Sequence, residues 1–222
     1  MSIIAVTGLA FEARIAAGPG VRTVAGGGDR KRVLAALEAG FARSATAIIS
    51  FGIAGGLDET AAPGTWVVAD HVTSSSNSWA VDEAWRLALA QCLPGAVRAR
   101  VAGADTVLAT PSEKRAFGAA TGAFAADMES HLVAEFAAYR GVPFAVFRVI
   151  ADPVTRSLAP AAAQGMRPDG NIDLPAVFGS LIRNPAQLPT LMRNALDTRT
   201  AVRALSRGRR LLGPGLGYPD LG

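Results

Sequence analysis

Two acidic residues stand about two dozen positions apart, where a site would need them. Glu129 opens a helical pattern, and Asp152 sits where an apolar strand pattern runs out. An ionised carboxylate at the first position could accept hydrogen bonds from both hydroxyls of a sugar diol. A carboxyl group at the second could hand a proton to a departing base. Asp152 precedes Pro153, and proline pushes the residue before it toward extended geometry, so the carboxyl should project from the strand end. Ligands of open α/β sheets gather outside the carboxyl ends of strands. Each residue also has a plain structural reading. Asp152 suits a turn ahead of proline. Glu129 suits the positive end of a helix, worth ~0.3–1 kcal/mol.

Further candidates lie earlier in the chain. Gly52-Ile53-Ala54-Gly55-Gly56 follows the strand pattern Thr46–Phe51. It is expected as a loop whose backbone N–H groups approach an anion or a sugar, with a tight turn as the alternative. Glu12 and Arg14 fall in a short helical stretch after Thr7-Gly8. Arg14 could hold phosphate with paired donors, as could the loop from Gly26 to Arg30; solvated surface positions explain Glu12 and Arg14 equally well. Arg148 lies inside an apolar strand and needs a partner if buried. Glu12 or a phosphate is the natural one.

The elements that must position these residues alternate. Strands are expected at Ile3–Val6, Val21–Val24, Thr46–Phe51, Trp66–Val68, Val97–Val101, Ala123–Ala125 and Phe144–Ile150. Helices are expected at Phe11–Ala17, Asp29 to Phe41, Val81–Cys92, Pro111–Ala119, an amphipathic Glu129–Arg140, 171–182 and 188–210. Ser74–Ser78 and Ala159–Gly170 read as loops. The alternation argues for an α/β fold on a mostly parallel or mixed sheet. The final helix is expected to pack Leu188, Leu191, Met192, Ala195, Val202 and Leu205 on one face.

The 222 residues suffice for one α/β domain with a substantial core. The chain reads as a domain over 1–182 with a basic helical extension, 183–222, packed on or beside it. Residues 1–182 carry a net charge of −1 and residues 183–222 one of +5. No aromatic residues interleave the tail arginines, so nucleic acid is not expected as a partner. The common reading of this tail is a packed helix with a solvated charged face. The functional reading is attraction to anionic lipid headgroups. A lone Cys92, with only His71 and His131, offers no metal-ligand spacing. The N-terminus lacks a basic leader ahead of an apolar run, so no signal peptide is expected. A reducing cytoplasm is the expected location, with peripheral contact at the inner membrane surface.

Phe51-Gly-Ile-Ala-Gly-Gly56, Ala126-Asp-Met-Glu-Ser130 and the strand ending at Asp152 together resemble the purine nucleoside phosphorylase and methylthioadenosine nucleosidase superfamily. The resemblance covers nearly the whole chain. It implies a single-domain, three-layer fold with a central mixed β-sheet flanked by helices. It implies Asp152 as the acid that protonates a purine and Glu12 as an activator of water. Met128, Glu129, Val107 and Asp127 would fall on the ribose and base. Gly8, Arg14, Gly52, Ile53 and Arg148 would form the phosphate or nucleophile site. Phosphate would enter as co-substrate, with no other cofactor and no metal. Two departures stand out. Ile53 replaces a hydroxyl that helps bind phosphate or orient water. Asp105-Thr106-Val107 lacks the aromatic that stacks on the base, which leaves Trp79 as a substitute.

Thr7–Arg14, Gly26–Arg30, Leu108–Arg115 and Arg167–Gly170 look, more narrowly, like the hopanoid-associated phosphorylases. That implies phosphorolytic release of adenine from a 5′-substituted adenosine, adenosylhopane, whose lipid moiety would give the basic tail a purpose. Hydrolysis of methylthioadenosine or adenosylhomocysteine is the alternative, motivated by Glu12 and Arg148. A non-catalytic lipid-surface or ligand-binding protein is a further one. Relatives form dimers, trimers or hexamers, so a homo-oligomer is expected.

Overall fold

The computed structural model describes residues 2–160, 170–171 and 173–219, apart from the side chains of 174, 176 and 178. Its eight strands are β1 (Ser2–Thr7), β2 (Val21–Ala25), β3 (Ala45–Gly56), β4 (Trp66–Thr73), β5 (Ser78–Ala80), β6 (Val97–Gly103), β7 (Ala125–Asp127) and β8 (Phe144–Asp152). The helices are α1 (Ala10–Ala16), α2 (Arg30–Phe41), α3 (Glu83–Cys92), α4 (Pro111–Thr121), α5 (Ser130–Arg140), α6 (Leu174–Arg183) and α7 (Leu188–Leu211).

β3 organises the mixed sheet. Its first half pairs in parallel with β1, which also pairs with β2. Its other edge pairs in parallel with β8. Its last residues, Gly55 and Gly56, pair antiparallel with β7. β8 joins β4, β4 joins β6, and β6 joins β7, so β3, β8, β4, β6 and β7 close into a ring. Closure leaves those five strands fewer free edges.

Buried strands read as continuous apolar runs because both faces are covered. Neighbouring residues then serve different cores. Ile4, Ile48 and Val146 pack with Val33 and Leu37 of α2 and Val133 and Phe136 of α5. Ile3, Ile49 and Phe147 pack with Trp85 and Leu89 of α3 and Leu205 of α7. The result is the expected three layers, helices on both faces of a mixed sheet.

Local chemistry fixes the helix starts. Asp29 caps α2 through Arg32 N, Asp82 caps α3 through Trp85 N, and Thr110 with Glu113 makes a capping box ahead of Pro111. Several expectations shift. The glycine-rich Gly52–Gly56 is strand, not loop, because β8 and then β7 supply its partners. The short strand expected at Ala123–Ala125 falls at Ala125–Asp127. Ser78 opens β5 rather than ending a loop. α5 is not amphipathic: Ser130 to Ala134, Phe136 and Ala137 are all buried, since it lies across the sheet. Most of the loop expected at Ala159–Gly170, residues 161–169, lies outside the described residues.

α7 departs most. Its inward face is Asn194, Asp197, Ala201, Leu205 and Gly208. Of the apolar face expected from the sequence only Leu205 is buried; Leu188 and Met192 are exposed. Asn194 turns inward because Ala159 N donates to its Oδ1 (2.9 Å) and its Nδ2 donates to Ser157 O (3.2 Å). Asp197 turns inward to meet Arg156.

Candidate active site

The parallel register sets Asp152 of β8 opposite Gly55 of β3. β7 pairs Ala126 with the same Gly55, so Asp127, which ends β7, and Met128 and Glu129 after it stand beside that point. α1 closes the far side and carries Glu12 inward. Four acidic side chains and two cations are thereby gathered along one cavity.

Arg148 is wholly buried at one end. Its Nε lies 2.9 Å from Asp127 Oδ2, an ionic contact without hydrogen-bond alignment. Its Nη2 donates to Ser50 Oγ (2.6 Å) and lies 3.5 Å from Glu129 Oε2. Arg148 pairs with Gly52 across the strands. A Cβ on Gly52 would stand 2.7 Å from Glu12 Oε1 and 2.8 Å from Arg148 Nη1, so only glycine leaves room for both groups.

Glu12 sits in a cradle of backbone amides. Ile53 N donates to its Oε1 and Leu9 N to its Oε2, both at 2.7 Å, and Gly8 N adds a further contact. Burial nevertheless pushes its carboxyl above the usual range, against the pull of Arg148 and those amides. Glu129, also buried, is pushed up to about 7. Burial is the main cause; Asp127 and Glu12 add to it, and Arg148 opposes it. Three buried carboxylates around one guanidinium cannot all ionise cheaply. The Asp127 carboxyl is held by hydrogen bonds: Oδ1 accepts from Glu129 N and Ser130 N, and Oδ2 from Ser130 Oγ.

The other end is simpler. Asp152 Oδ2 lies 2.5 Å from Lys114 Nζ. Lys114, of α4, is 1% exposed, and its ammonium also donates to Pro153 O (3.2 Å) and Arg156 O (2.8 Å). Three acceptors match its three protons. Asp152 Oδ1 is buried and has no hydrogen-bond partner among the described residues. Burial raises the Asp152 carboxyl and Lys114 opposes the rise.

A cavity of about 220 Å³ touches Gly8, Glu12, Ile53, Met128, Glu129 and Arg148. It runs into one of about 120 Å³ that touches Val107, Leu108, Lys114 and Leu57. Asp127, Met128 and Asp152 border both. The two spaces suit a sugar at the carboxylate cluster and a flat base at Asp152.

The structure therefore gathers Asp152, Glu12, Met128, Glu129, Val107, Asp127, Gly8, Gly52, Ile53 and Arg148 at one place. It does not bring Arg14 to this cavity; Arg14 is exposed and borders a groove between α1 and α7 instead. The helix explains this: two residues along, Arg14 points nearly opposite to Glu12. Arg30 is likewise spent at the surface on Glu135. Trp79 packs against the α2/α5 core and does not border the cavity, so it cannot replace the missing stacking ring. Among the described residues bordering the cavity none is aromatic. Lys114 went unassigned in the sequence, as did Ser50, Leu158 and Thr198. For Lys114 a signal existed: it stands three residues before Phe117, on the face α4 turns toward the protein. No group of three or more potential metal ligands occurs among the described residues.

Fold and sequence together place the chain in a class. Residues 22–167 match the family described as the phosphorylase superfamily, and the chain belongs to it. Solved structures share the fold at low identity. A 5′-methylthioadenosine/S-adenosylhomocysteine nucleosidase from Streptococcus pneumoniae, bound to a transition-state inhibitor, is 15% identical with a TM-score of 0.62, over 96% of this chain and 100% of that one. The nucleosidase from Colwellia psychrerythraea, bound to adenine, is 15% identical with a TM-score of 0.63, over 94% and 95%. A futalosine hydrolase mutant from Helicobacter pylori is 13% identical with a TM-score of 0.57, over 68% and 89%. No curated protein sequence matches the chain. Membership implies an enzyme that cleaves N-glycosidic bonds.

Proposed function

We propose that the chain releases adenine from a 5′-substituted adenosine, with adenosylhopane as the candidate substrate. Asp152 would protonate the base as the C1′–N bond breaks and its electron pair passes to the purine. Glu129 would accept hydrogen bonds from the ribose hydroxyls, with Met128 as an apolar wall. The observation that carries this reading is the buried Asp152 Oδ1, without a hydrogen-bond partner among the described residues, at the base end of a cavity whose other end is a carboxylate cluster.

The geometry favours water as the attacking group over the phosphate expected from the sequence. The amides of Gly8, Leu9 and Ile53, which could hold a phosphate, hold the carboxylate of Glu12 instead. Among the described residues both cations at the cavity, Arg148 and Lys114, are committed to carboxylates. A buried Glu12 with a raised pKa suits a base that takes the proton from water as its oxygen bonds to C1′. Phosphorolysis stays as the second reading, carried by the narrower resemblance.

An apolar 5′ group has somewhere to go. A groove of about 450 Å³ between α1 and α7, bordered by Phe11, Ile15 and Val202 with Arg14 and Ser206 among them, meets the cavity at Thr198. The deciding experiment measures adenine release from adenosylhopane and methylthioadenosine, with and without phosphate. Phosphate-independent release supports water, and release only with phosphate supports phosphorolysis. Absence of release from both would overturn the enzymatic reading and leave a binding protein.

A further inference from the structure

The outward face of α7 divides into halves of different chemistry. With 3.6 residues per turn, Leu188, Met192 and Leu196 fall in one stripe, and Arg199, Arg203, Arg207 and Arg210 continue it. The three apolar side chains are 48%, 61% and 61% exposed, and Ile182 at the end of α6 is 80% exposed. Burial of Asn194 and Asp197 explains what faces in. It leaves an apolar stripe facing out, which folding alone does not reward.

The arginines are equally unspent. Arg199, Arg203 and Arg210 form no ion pair among the described residues. The guanidinium of Arg207 lies over the Trp66 ring, 4.4 Å from its centre, which leaves its charge uncompensated. The helix holds a single carboxylate, Asp197, which faces in and is taken by Arg156. Arg209, by contrast, turns to the carbonyls of Ala16 and Ala17 and serves the fold.

We propose that this face docks the protein peripherally on an anionic lipid surface. Leucine, methionine and isoleucine side chains enter the boundary between headgroups and acyl chains, and the arginines lie on lipid phosphates. A second copy of the same face fits less well, because it offers the arginines no counter-charge. No helix among the described residues is long and apolar enough to span a bilayer, so contact is at the surface. Thr198, which borders the cavity, lies within a turn of Leu196, so docking brings the cavity's open side near the lipid. The docking stands independently of the reaction proposed above.

The test is sedimentation of the full chain with vesicles of phosphatidylglycerol and phosphatidylcholine, or of phosphatidylcholine alone. Binding should need the anionic lipid and weaken as salt rises. Each arginine is worth roughly fivefold at such a surface, so Arg199→Gln, Arg203→Gln and Arg210→Gln together should weaken binding on the order of a hundredfold. Leu188→Ser, Met192→Ser and Leu196→Ser together should also abolish most of it, with thermal unfolding unchanged because these side chains are exposed. No sedimentation of the wild type, or equal binding to neutral vesicles, overturns the proposal without recourse to a variant. A serine variant that binds vesicles normally but changes particle mass in solution also overturns it, and assigns the face to a protein partner.

Discussion

The two ends of the cavity solve the same problem differently. Each buries carboxylates beside a cation. At the base end one acid, Asp152, meets one ammonium, Lys114. At the sugar end three acids share one guanidinium, Arg148, with Asp127 and Glu129 in ion-pair range and Glu12 close by. The two ends differ in charge balance. At both, burial draws a carboxyl toward its neutral form, opposed by a dedicated ammonium at Asp152 and by a shared guanidinium at Glu12 and Glu129. The crowded end therefore titrates near neutrality, and the balanced end is held by contacts that fix its geometry.

The largest effect should come from removing the shared cation. Arg148→Met leaves three buried carboxylates without a counter-charge, at about 3–5 kcal/mol. Denaturant unfolding at pH 7.5 checks this, and part of the loss should return at pH 5, where Glu129 is protonated. A loss independent of pH would mean that packing, not charge, is what Arg148 provides. Next comes Asp152→Asn, which keeps shape and removes the transferable proton. Turnover should fall about 10²–10⁴-fold, far more than the weakened Lys114 contact lowers the folded fraction. An unaffected rate would end the role of Asp152 as the acid.

Much of this contrast was legible in the chain, and the rest was hidden for physical reasons. Asp152 and Arg148 lie in one apolar strand, so the strand's burial alone forces them to find partners. Glu129 follows β7 closely enough that a short turn must carry it back to the sheet. Lys114 was half legible: its spacing from Phe117 turns it toward the protein, but nothing in the chain names what it meets there. Its partner lies 38 residues later, at Asp152, and only the folded ring of strands brings them together. α7 misled for a related reason. Helical periodicity reports which residues share a face, and apolar type is taken to mean inward. There Asn194 and Asp197 win the inward side, because the segment after β8 offers them polar partners. Arg14 could have been excluded earlier, since a helix cannot turn residues 12 and 14 to one cavity.

A smaller effect should appear at Glu129, and its sign depends on pH. The folded carboxyl is raised to about 7 from 4.5, so the folded state holds its proton more tightly than the unfolded chain. Stability from this group is then fully present below the unfolded value of 4.5 and is lost as pH rises through 7. Glu129→Gln removes that loss. It should stabilise the fold by up to about 3 kcal/mol at pH 8 and little at pH 4, while weakening binding of substrates that carry both ribose hydroxyls. A variant less stable at pH 8 would show that Arg148 compensates the crowded end better than three against one suggests.

The smallest effect is the most direct probe of the balanced end. Lys114→Met removes the ammonium that opposes burial at Asp152 and leaves the neighbouring Asp197 and Arg156 in place. The Asp152 carboxyl should then rise further. If its protonated form gives the proton to the base, activity that declines with pH should decline at a higher pH in the variant. Absolute rate should also drop, because the carboxyl loses the Oδ2 contact that fixes its orientation. A merely structural lysine would lower stability and leave the alkaline limb where it was. Only a lysine that holds the acid's charge moves that limb, so the pH profile separates the two roles.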